Sequence, residues 1–316
     1  MTASIAPIAG IDISKDTLDA ALYPSNQSQT FANDRPGHAA LLRWLASHEV
    51  RQLVFEATGP YHRALERRLA QLELVYVKAN PRQVRRFAEA TGTLAKTDRV
   101  DAIVLARFGA LLQPTATSPR SQAVDQLAEL IAARRSLVRD RTATTNRAKT
   151  LTIDLLRRQA TQRLRQIAHQ LDALDTQARA VVADDPVLAR RLTILTSVPG
   201  LGEITALALI ADMPELGSMD PKQTASLAGL APVARQSGAW RGKSFIRGGR
   251  AHLRQALDMP ALVAARFNPD LKARFNALTA AGKPPKVAIT AIMRRLIVLA
   301  NALLRDDRIW SPKPVA

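Results

Sequence analysis

Cysteine is absent from this sequence of 316 residues, and aromatic residues make up only 4% of it. Without cysteine the chain has no disulfide, no thiolate metal site and no cysteine nucleophile, which fits a reducing compartment. The few aromatic residues argue against base stacking as the main means of holding single-stranded nucleic acid. No uninterrupted apolar run reaches the roughly 18 residues of a membrane helix, and the start lacks the pattern of a signal peptide. We therefore expect a soluble, cytoplasmic protein without a membrane partner.

Acidic residues are also scarce: 27 Asp and Glu accompany 45 Lys and Arg, which gives a formal net charge of +18. Such an excess usually indicates a polyanionic partner, most often nucleic acid. The alternative is a solvated basic surface that binds nothing. A hydrophobic content of 47% is enough to build buried cores, so a wholly disordered chain is excluded.

The chain divides by pattern into three segments of rising charge. Residues 1–112 carry 14 basic and 11 acidic side chains (net +3), and residues 113–195 carry 14 and 8 (net +6). Residues 196–316 carry 17 and 8 (net +9). The first segment is therefore the candidate for chemistry with carboxylates, and the other two are candidates for binding phosphate.

The first segment alternates short apolar runs with amphipathic stretches, which predicts an α/β domain with a mixed sheet. Apolar runs bounded by turn residues predict the strands, and 3.6-residue periodicity or a proline at the first helical position predicts the helices. The predicted strands cover residues 8–13, 17–23, 28–31, 52–55 and 74–77, and the predicted helices cover 37–48, Pro60 to Leu72, a stretch opened by Pro81, and a stretch ending at Leu112.

The rest of the chain predicts helices. Between Ser121 and Arg191 the apolar spacing predicts two long basic helices, arranged as an antiparallel coiled coil, and a simple spacer or dimer arm is the alternative. The third segment opens with SVPGLG at 197–202, ahead of an apolar helix over 204–213. Its glycines leave amides free for a phosphate, or else form a turn that caps two core helices. A further apolar helix over 287–304 is expected in the core.

Four acidic residues of the first segment stand at positions that call for an explanation. Asp12 lies within an apolar strand, where an unpaired carboxylate is costly, and Glu56 ends another, where α/β sheets hold ligands. Asp98 and Asp101 begin a helix and share one face of it. Converging carboxylates repel each other unless a divalent cation is present, and oxygen ligands favour Mg²⁺ or Mn²⁺. The alternative is that Asp98 caps the helix and Asp101 only favours its first turn.

A second candidate site is the stretch 235–254, which contains six cations, four glycines and no acid. Ser237 and Ser244 both lie in it. A serine hydroxyl needs a base or metal to become a nucleophile, and neighbouring cations can stabilise a phosphorane. An ordinary loop serine remains the alternative for each. The six cations expected to bind nucleic acid in this flexible loop are Arg235, Arg241, Lys243, Arg247, Arg250 and Arg254.

The order of these features resembles that of the RuvC-like, RNase H fold nucleases. More specifically, the chain resembles the DEDD insertion-sequence transposases of the IS110 type, which are related to the Piv DNA invertase. The resemblance covers nearly the whole chain and rests on short stretches in the family's order. They are GIDISK at 10–15, FEATG at 55–59, KTDRVDA at 96–102, SVPGLG at 197–202, LAGLAP at 227–232, QSG at 236–238, RGKS at 241–244 and LR at 253–254.

The resemblance implies a DNA recombinase with two half-sites. Asp12, Glu56, Asp98 and Asp101 would bind Mg²⁺ in a RuvC-like catalytic domain (1–112), followed by a helical coiled-coil linker (113–195). A C-terminal transposase domain (196–316) would contribute the serine nucleophile, which the family's Ser-Gly pattern assigns to Ser237, with Ser244 as second choice. The enzyme would form a covalent phosphoserine with DNA, excise a circular element and insert it at a target.

The resemblance further implies guidance by a noncoding bridge RNA and dimers that pair into tetramers, with the acids of one protomer facing the serine of another. From the charge we expect the basic helices and the 235–254 loop to hold nucleic-acid backbone while base pairing selects the sequence. Two other functions remain open. One is a RuvC-like structure-specific endonuclease, such as a junction resolvase, without a covalent intermediate. The other is a non-catalytic nucleic-acid-binding protein whose acids are structural.

Overall fold

The computed structural model describes residues 6–57, 59, 61–93, 97–117, 120–234, 236–238, 240–242 and 244–312, with backbone only at 240 and 241. The chain forms two compact units, Met1–Pro119 and Arg120–Ala316. This division has one boundary, between residues 119 and 120, whereas the sequence predicts three domains. The three-domain division therefore stays a prediction.

The first unit is built on a five-stranded mixed sheet, as the sequence predicts. Its strand order is β3-β2-β1-β4-β5, in which β1–β2 and β2–β3 are antiparallel while β1–β4 and β4–β5 are parallel. Four strands begin at the predicted residues, whereas β5 begins two residues later than predicted. The strands are β1 (Ile8–Ile13), β2 (Thr17–Tyr23), β3 (Ser28–Ala32), β4 (Gln52–Glu56) and β5 (Tyr76–Ala79).

Helices cover both faces of this sheet. The apolar core on one face joins Ile11 and Phe55 of the sheet to residues of α1 and α2. The core on the other face joins Val54 and Val77 to residues of α3 and α4. Helix α2 begins three residues after the predicted start at Pro60, which lies outside the described residues. The helices are α1 (Arg35–Ser47), α2 (Arg63–Gln71), α3 (Pro81–Ala90) and α4 (Asp98–Leu112).

The second unit is mainly helical. Its short strands pair as β6 with β9 and β7 with β8, so the stretch predicted as a flexible loop contains a hairpin instead. The elements are α5 (Gln122–Ala148), α6 (Asp154–Ala183), α7 (Pro186–Thr196), α8 (Glu203–Asp212), α9 (Pro221–Leu227), β6 (Pro232–Val233), β7 (Gln236–Ser237), β8 (Trp240–Arg241), β9 (Phe245–Ile246), α10 (Ala251–Phe267), α11 (Pro269–Ala280) and α12 (Pro285–Arg305).

Helices α5 and α6 are the two predicted long helices, and they pack side by side in antiparallel order. Arg134 on α5 donates to both carboxylate oxygens of Asp175 on α6, at 2.6 and 3.2 Å. At the end of the pair near the unit's centre, Leu127 and Val182 are buried in the same core as Leu296 of α12. The long helices are therefore anchored in the C-terminal core.

Two further expectations for this unit have a structural answer. Gly200 forms a helix-packing turn, because a Cβ there would be 2.8 Å from the carbonyl oxygen of Pro260 in α10, whereas the Cβ position of Gly202 is open, so both interpretations of the motif stay predictions. Helix α12 is long and apolar enough to cross a membrane by length and composition alone. Its residues Ile292, Leu296 and Ile297 are fully buried in the core, as the sequence predicts, and this is compatible with a soluble protein.

Candidate active site

The first candidate site lies where β1 ends and α4 begins. A Cβ on Gly10 would be 2.1 Å from the carbonyl oxygen of Ala102, so α4 packs directly on the backbone of β1. At the other end of the contact, a Cβ on Gly109 would be 3.0 Å from Cγ2 of Ile8. Because early helix residues contact the late strand residues, α4 runs antiparallel to β1. The first turn of α4 therefore lies at the carboxyl end of β1.

Asp12 and Glu56 occupy this same edge on neighbouring parallel strands. The parallel pairing of β1 with β4 ends at Ile11 opposite Phe55, and each acid is the next residue along its strand. Side chains alternate between the two faces of a strand, so Asp12 shares the face of Gly10, which contacts α4. By the same alternation Glu56 shares the face of Val54. Both carboxylates are half-buried.

Asp98 and Asp101 lie in the first turn of α4. The N-cap of this helix is Thr97, whose hydroxyl oxygen accepts a hydrogen bond of 3.3 Å from the backbone amide of Val100. The alternative that Asp98 serves as the cap is therefore wrong. The positive end of the helix dipole stabilises both carboxylates in this turn, and this position is compatible with binding a cation.

The pKa of Asp12 depends on its burial and on the neighbouring carboxylates. The pKa of Asp12 is raised from 3.8 to about 6, and burial is the largest cause. The negative charges of Asp101, Asp98 and Asp19 also contribute to this rise. The structure thus places Asp98 and Asp101 where their charges act on Asp12, with Glu56 at the adjacent strand end. Repulsion of this kind is what a bound divalent cation relieves.

Asp19 is an acid that the sequence reasoning missed. It lies directly across the β1–β2 hairpin from Asp12 and accepts a hydrogen bond of 2.5 Å from the hydroxyl of Thr30. The signal was available, because the turn after Ile13 fixes the hairpin register and cross-strand partners share one face. The carboxylate cluster therefore has a fifth neighbour.

The residues at this edge suit a hard cation. All the candidate ligands are carboxylates, the donor type that Mg²⁺ prefers, and burial together with the neighbouring negative charges disfavours the ionised form of Asp12. Across the described stretches, no three His, Cys, Asp or Glu side chains are already gathered as a metal-ligand group. The donor chemistry thus fits the predicted Mg²⁺ or Mn²⁺.

The second candidate site is the hairpin of residues 232–246. Ser237 ends β7, pairs with residue 240 of β8 and is exposed. Gly238 adopts a φ of +55° in the turn between them, with no atom within 4 Å of the position of a Cβ. Ser244 is also exposed, just before β9. Both serines can therefore meet a ligand from solvent.

The six predicted cations of this region differ in their surroundings. Arg235 and Lys243 lie outside the described residues, and Arg241 is described only by its backbone in β8. Arg247 is exposed. Arg254 is half-buried and donates to the carbonyl oxygen of Gly248. For these residues nucleic-acid binding stays a prediction.

Arg250 differs from the expectation of a free cation. Its guanidinium donates to both carboxylate oxygens of Glu215, at 2.7 and 2.9 Å, and to the carbonyl oxygen of Asp212 at 2.7 Å. Burial raises the pKa of Glu215, but the hydrogen bonds and charge of Arg250 outweigh it and hold the pKa below its usual value. The ion pair is thus part of the protein's own structure.

Comparison with known proteins gives concordant matches over both units. A DEDD transposase profile of the IS110 type matches residues 9–157, and a profile described as transposase IS116/IS110/IS902 family matches residues 192–276. The pilin gene-inverting protein of Moraxella bovis is 32% identical over 314 residues, which cover 95% of this chain and 96% of that protein. The protein of the same name from Moraxella lacunata matches equally well. An uncharacterized 42 kDa protein of insertion element IS900 from Mycobacterium paratuberculosis is 33% identical over 155 residues, 46% of this chain and 38% of that protein.

Proposed function

We propose, because the chain belongs to the IS110 family of transposases, that it cuts and rejoins DNA with two half-sites, one of carboxylates and one of serine. Membership of this family makes the chain an enzyme of DNA recombination that acts on DNA. The identity of the groups that carry the chemistry is our proposal.

The carboxylate half-site would be formed by Asp12, Glu56, Asp98 and Asp101 in a RuvC-like domain. The mixed sheet with a helix-borne acid pair at its edge supports that fold. When bound there, Mg²⁺ or Mn²⁺ would supply Lewis-acid stabilisation of the charge on a phosphate. Asp12 would bind the cation, which would relieve the repulsion by its neighbours. Asp98 and Asp101 would bind it from the first turn of α4.

Ser237 would be the nucleophile of the second half-site. Its Oγ would lose its proton and form a bond to phosphorus, while the bridging P–O bond to the departing strand breaks and the leaving oxygen takes up a proton. The exposure of Ser237 at a hairpin turn supports this role, because a scissile phosphate needs open access. Rejoining would reverse the step with the hydroxyl of another strand and free the serine.

The partners we propose are donor and target DNA and a noncoding guide RNA, bound by a homodimer that assembles into a tetramer in the cytoplasm. The charge of the α5–α6 pair supports a nucleic-acid partner. Its distal part, residues 139–165, has eight basic and two acidic side chains, whereas 122–138 has two of each. All eight of the distal cations are exposed. Phosphate contacts of this kind hold a backbone without reading its sequence.

The observation that carries the proposal is the repulsion of Asp12 by Asp98 and Asp101. The test is Mg²⁺-dependent cleavage of circular donor DNA by purified protein with its RNA. We expect Asp12→Asn, Asp98→Asn and Asp101→Asn each to abolish cleavage while binding of DNA persists. The matched control is Asp16→Asn, which removes an exposed carboxylate from the β1–β2 turn. Full cleavage by Asp12→Asn would refute the carboxylate half-site.

Guidance by RNA has a separate test. If base pairing selects the target, exchanging the RNA for one with altered pairing segments should move cleavage to the newly matched sequence. A target profile that stayed fixed after this exchange would show that the protein itself reads the DNA. The junction-resolvase alternative predicts that DNA is cut without any covalent link to serine.

A further inference from the structure

The hairpin with Ser237 projects from a base in which two segments of chain meet. The chain leaves α9 through Leu227 and Gly229 before the hairpin, and it returns through Gly248 and Gly249 to α10. The amide of Arg250 donates to the carbonyl oxygen of Leu227 at 2.8 Å. This bond ties the outgoing segment to the returning one.

Glycine packing closes the same base. A Cβ on Gly249 would lie 2.2 Å from the backbone nitrogen of Gly229, and Gly249 has a φ of +61°. The neighbouring Gly248 has a φ of +74°, but no atom lies within 4 Å of its Cβ position. An added Cβ is therefore obstructed at Gly249 and unobstructed at Gly248.

The guanidinium of Arg250 then fixes this base to the rest of the unit. Asp212 ends α8 and Glu215 lies just beyond it, and both residues accept hydrogen bonds from Arg250. Asp212 is itself held by a hydrogen bond from Arg135 of α5. A bidentate Arg–carboxylate pair fixes direction as well as distance. The hairpin base is thus linked to α8 and, through Asp212, to α5.

We propose that Glu215 and Arg250 are positioning residues, which set the direction in which the hairpin presents Ser237 to a scissile phosphate. The inference rests on the proposed function for the reaction that Ser237 carries out. Arg250 then acts through Glu215 inside the protein and not through contact with DNA. A small misplacement of a reacting group is enough to cost about 100-fold in rate.

The test compares Glu215→Gln, Arg250→Gln and the charge exchange Glu215→Arg with Arg250→Glu. The readouts are DNA affinity and the rate of covalent adduct formation at Ser237 with saturating circular donor DNA. We expect both single variants to form the adduct about 100-fold more slowly with unchanged affinity, and the exchange to recover most of the rate. A wild-type rate for Glu215→Gln would overturn the proposal. So would an affinity loss confined to Arg250→Gln, which would make Arg250 a DNA contact.

Two controls separate positioning from loss of the fold. Gly249→Ala should slow the adduct as Glu215→Gln does, whereas Gly248→Ala, strained but unobstructed, should stay near the wild-type rate. Hydrogen exchange of the amides in peptides spanning 232–246 tests the Glu215–Arg250 clamp, that is, the ion pair that fixes the hairpin base, without any chemistry. We expect Glu215→Gln to speed this exchange while the thermal midpoint stays close to that of the wild type. If the wild type formed no adduct at Ser237, the proposed nucleophile would fail, but unchanged exchange in Glu215→Gln would overturn the clamp itself.

Discussion

Asp12 shows how a single residue can carry a functional signal that costs stability. The pKa of its carboxyl group is raised to about 6 by burial and by its carboxylate neighbours. The folded state therefore binds this proton more tightly than the unfolded state does. The penalty for ionisation is absent below the ordinary pKa of 3.8 and fully present above about pH 6.

This sign gives a prediction for the metal-free protein. Asp12→Asn removes the penalty, so at about pH 7.5 we expect the variant to have a higher thermal midpoint than the wild type, and we expect the difference to vanish towards pH 4. Thermal melts in chelator at several pH values measure it. Added Mg²⁺ should raise the midpoint of the wild type alone, because only the wild type keeps the full ligand set. A wild type that is the more stable protein in chelator at pH 7.5 would contradict this account.

At the level of elements, the sequence predicted the frame of the carboxylate site well. Apolar runs bounded by turn residues located β1 and β4, and the i, i+3 spacing of Asp98 and Asp101 put both acids on one face of α4. The contact of α4 with β1 could not be predicted, because it depends on two glycines that let the backbones approach. The hairpin of 232–246 was missed since its paired segments are two residues long, too short for a period-2 pattern. The ion pair of Arg250 was not predicted, because composition cannot reveal a partner 35 residues away.

The helix–strand contact gives the second prediction. Gly10→Ala would put a methyl group 2.1 Å from the Ala102 carbonyl oxygen, so α4 must move away from β1. We expect a loss of about 1–3 kcal/mol in unfolding free energy and a larger loss of cleavage, because Asp98 and Asp101 move with the helix. Urea unfolding and the cleavage assay measure the two effects.

The control for this change is Gly92→Ala in the same unit. Gly92 has a φ of +72° and open space around its Cβ position, so alanine adds backbone strain of about 1 kcal/mol without obstruction. We expect Gly92→Ala to keep its cleavage activity. Equal losses of cleavage in both variants would mean that general destabilisation, and not the placement of α4, governs activity.

At the scale of the whole molecule, the charge of +18 is distributed unevenly. The first unit's segment 1–112 is nearly balanced, and the excess of the α5–α6 pair lies in its distal residues 139–165. Among the residues that the structure describes, the ion pairs of Arg134 and Arg135 lie nearer the core end. The nearly neutral first segment and the basic distal part of the α5–α6 pair are thus separate along the sequence.

This distribution predicts where the salt dependence of RNA and DNA binding originates. Each lost phosphate contact lowers the slope of log affinity against log salt concentration by about 0.7–0.9. We expect Arg158→Gln, Arg163→Gln and Arg165→Gln together to lower it by about 2–3. The matched control replaces three exposed arginines of the first unit, Arg43, Arg51 and Arg86, and should change the slope by less than about 1. Equal effects of the two triple variants would contradict the assignment of nucleic-acid binding to residues 139–165.

The central claim is that Ser237 attacks DNA in a reaction that needs the carboxylates of the other half-site. The most direct measurement is to quench a reaction of protein, RNA and circular donor DNA with denaturant, digest protein and DNA, and find the nucleotide-bearing peptide by mass spectrometry. The account predicts a nucleotide on Ser237, absent from Ser237→Ala and Asp12→Asn and present in Ser244→Ala. Cleaved DNA with no linked peptide, or a nucleotide on Ser244 instead, would contradict it.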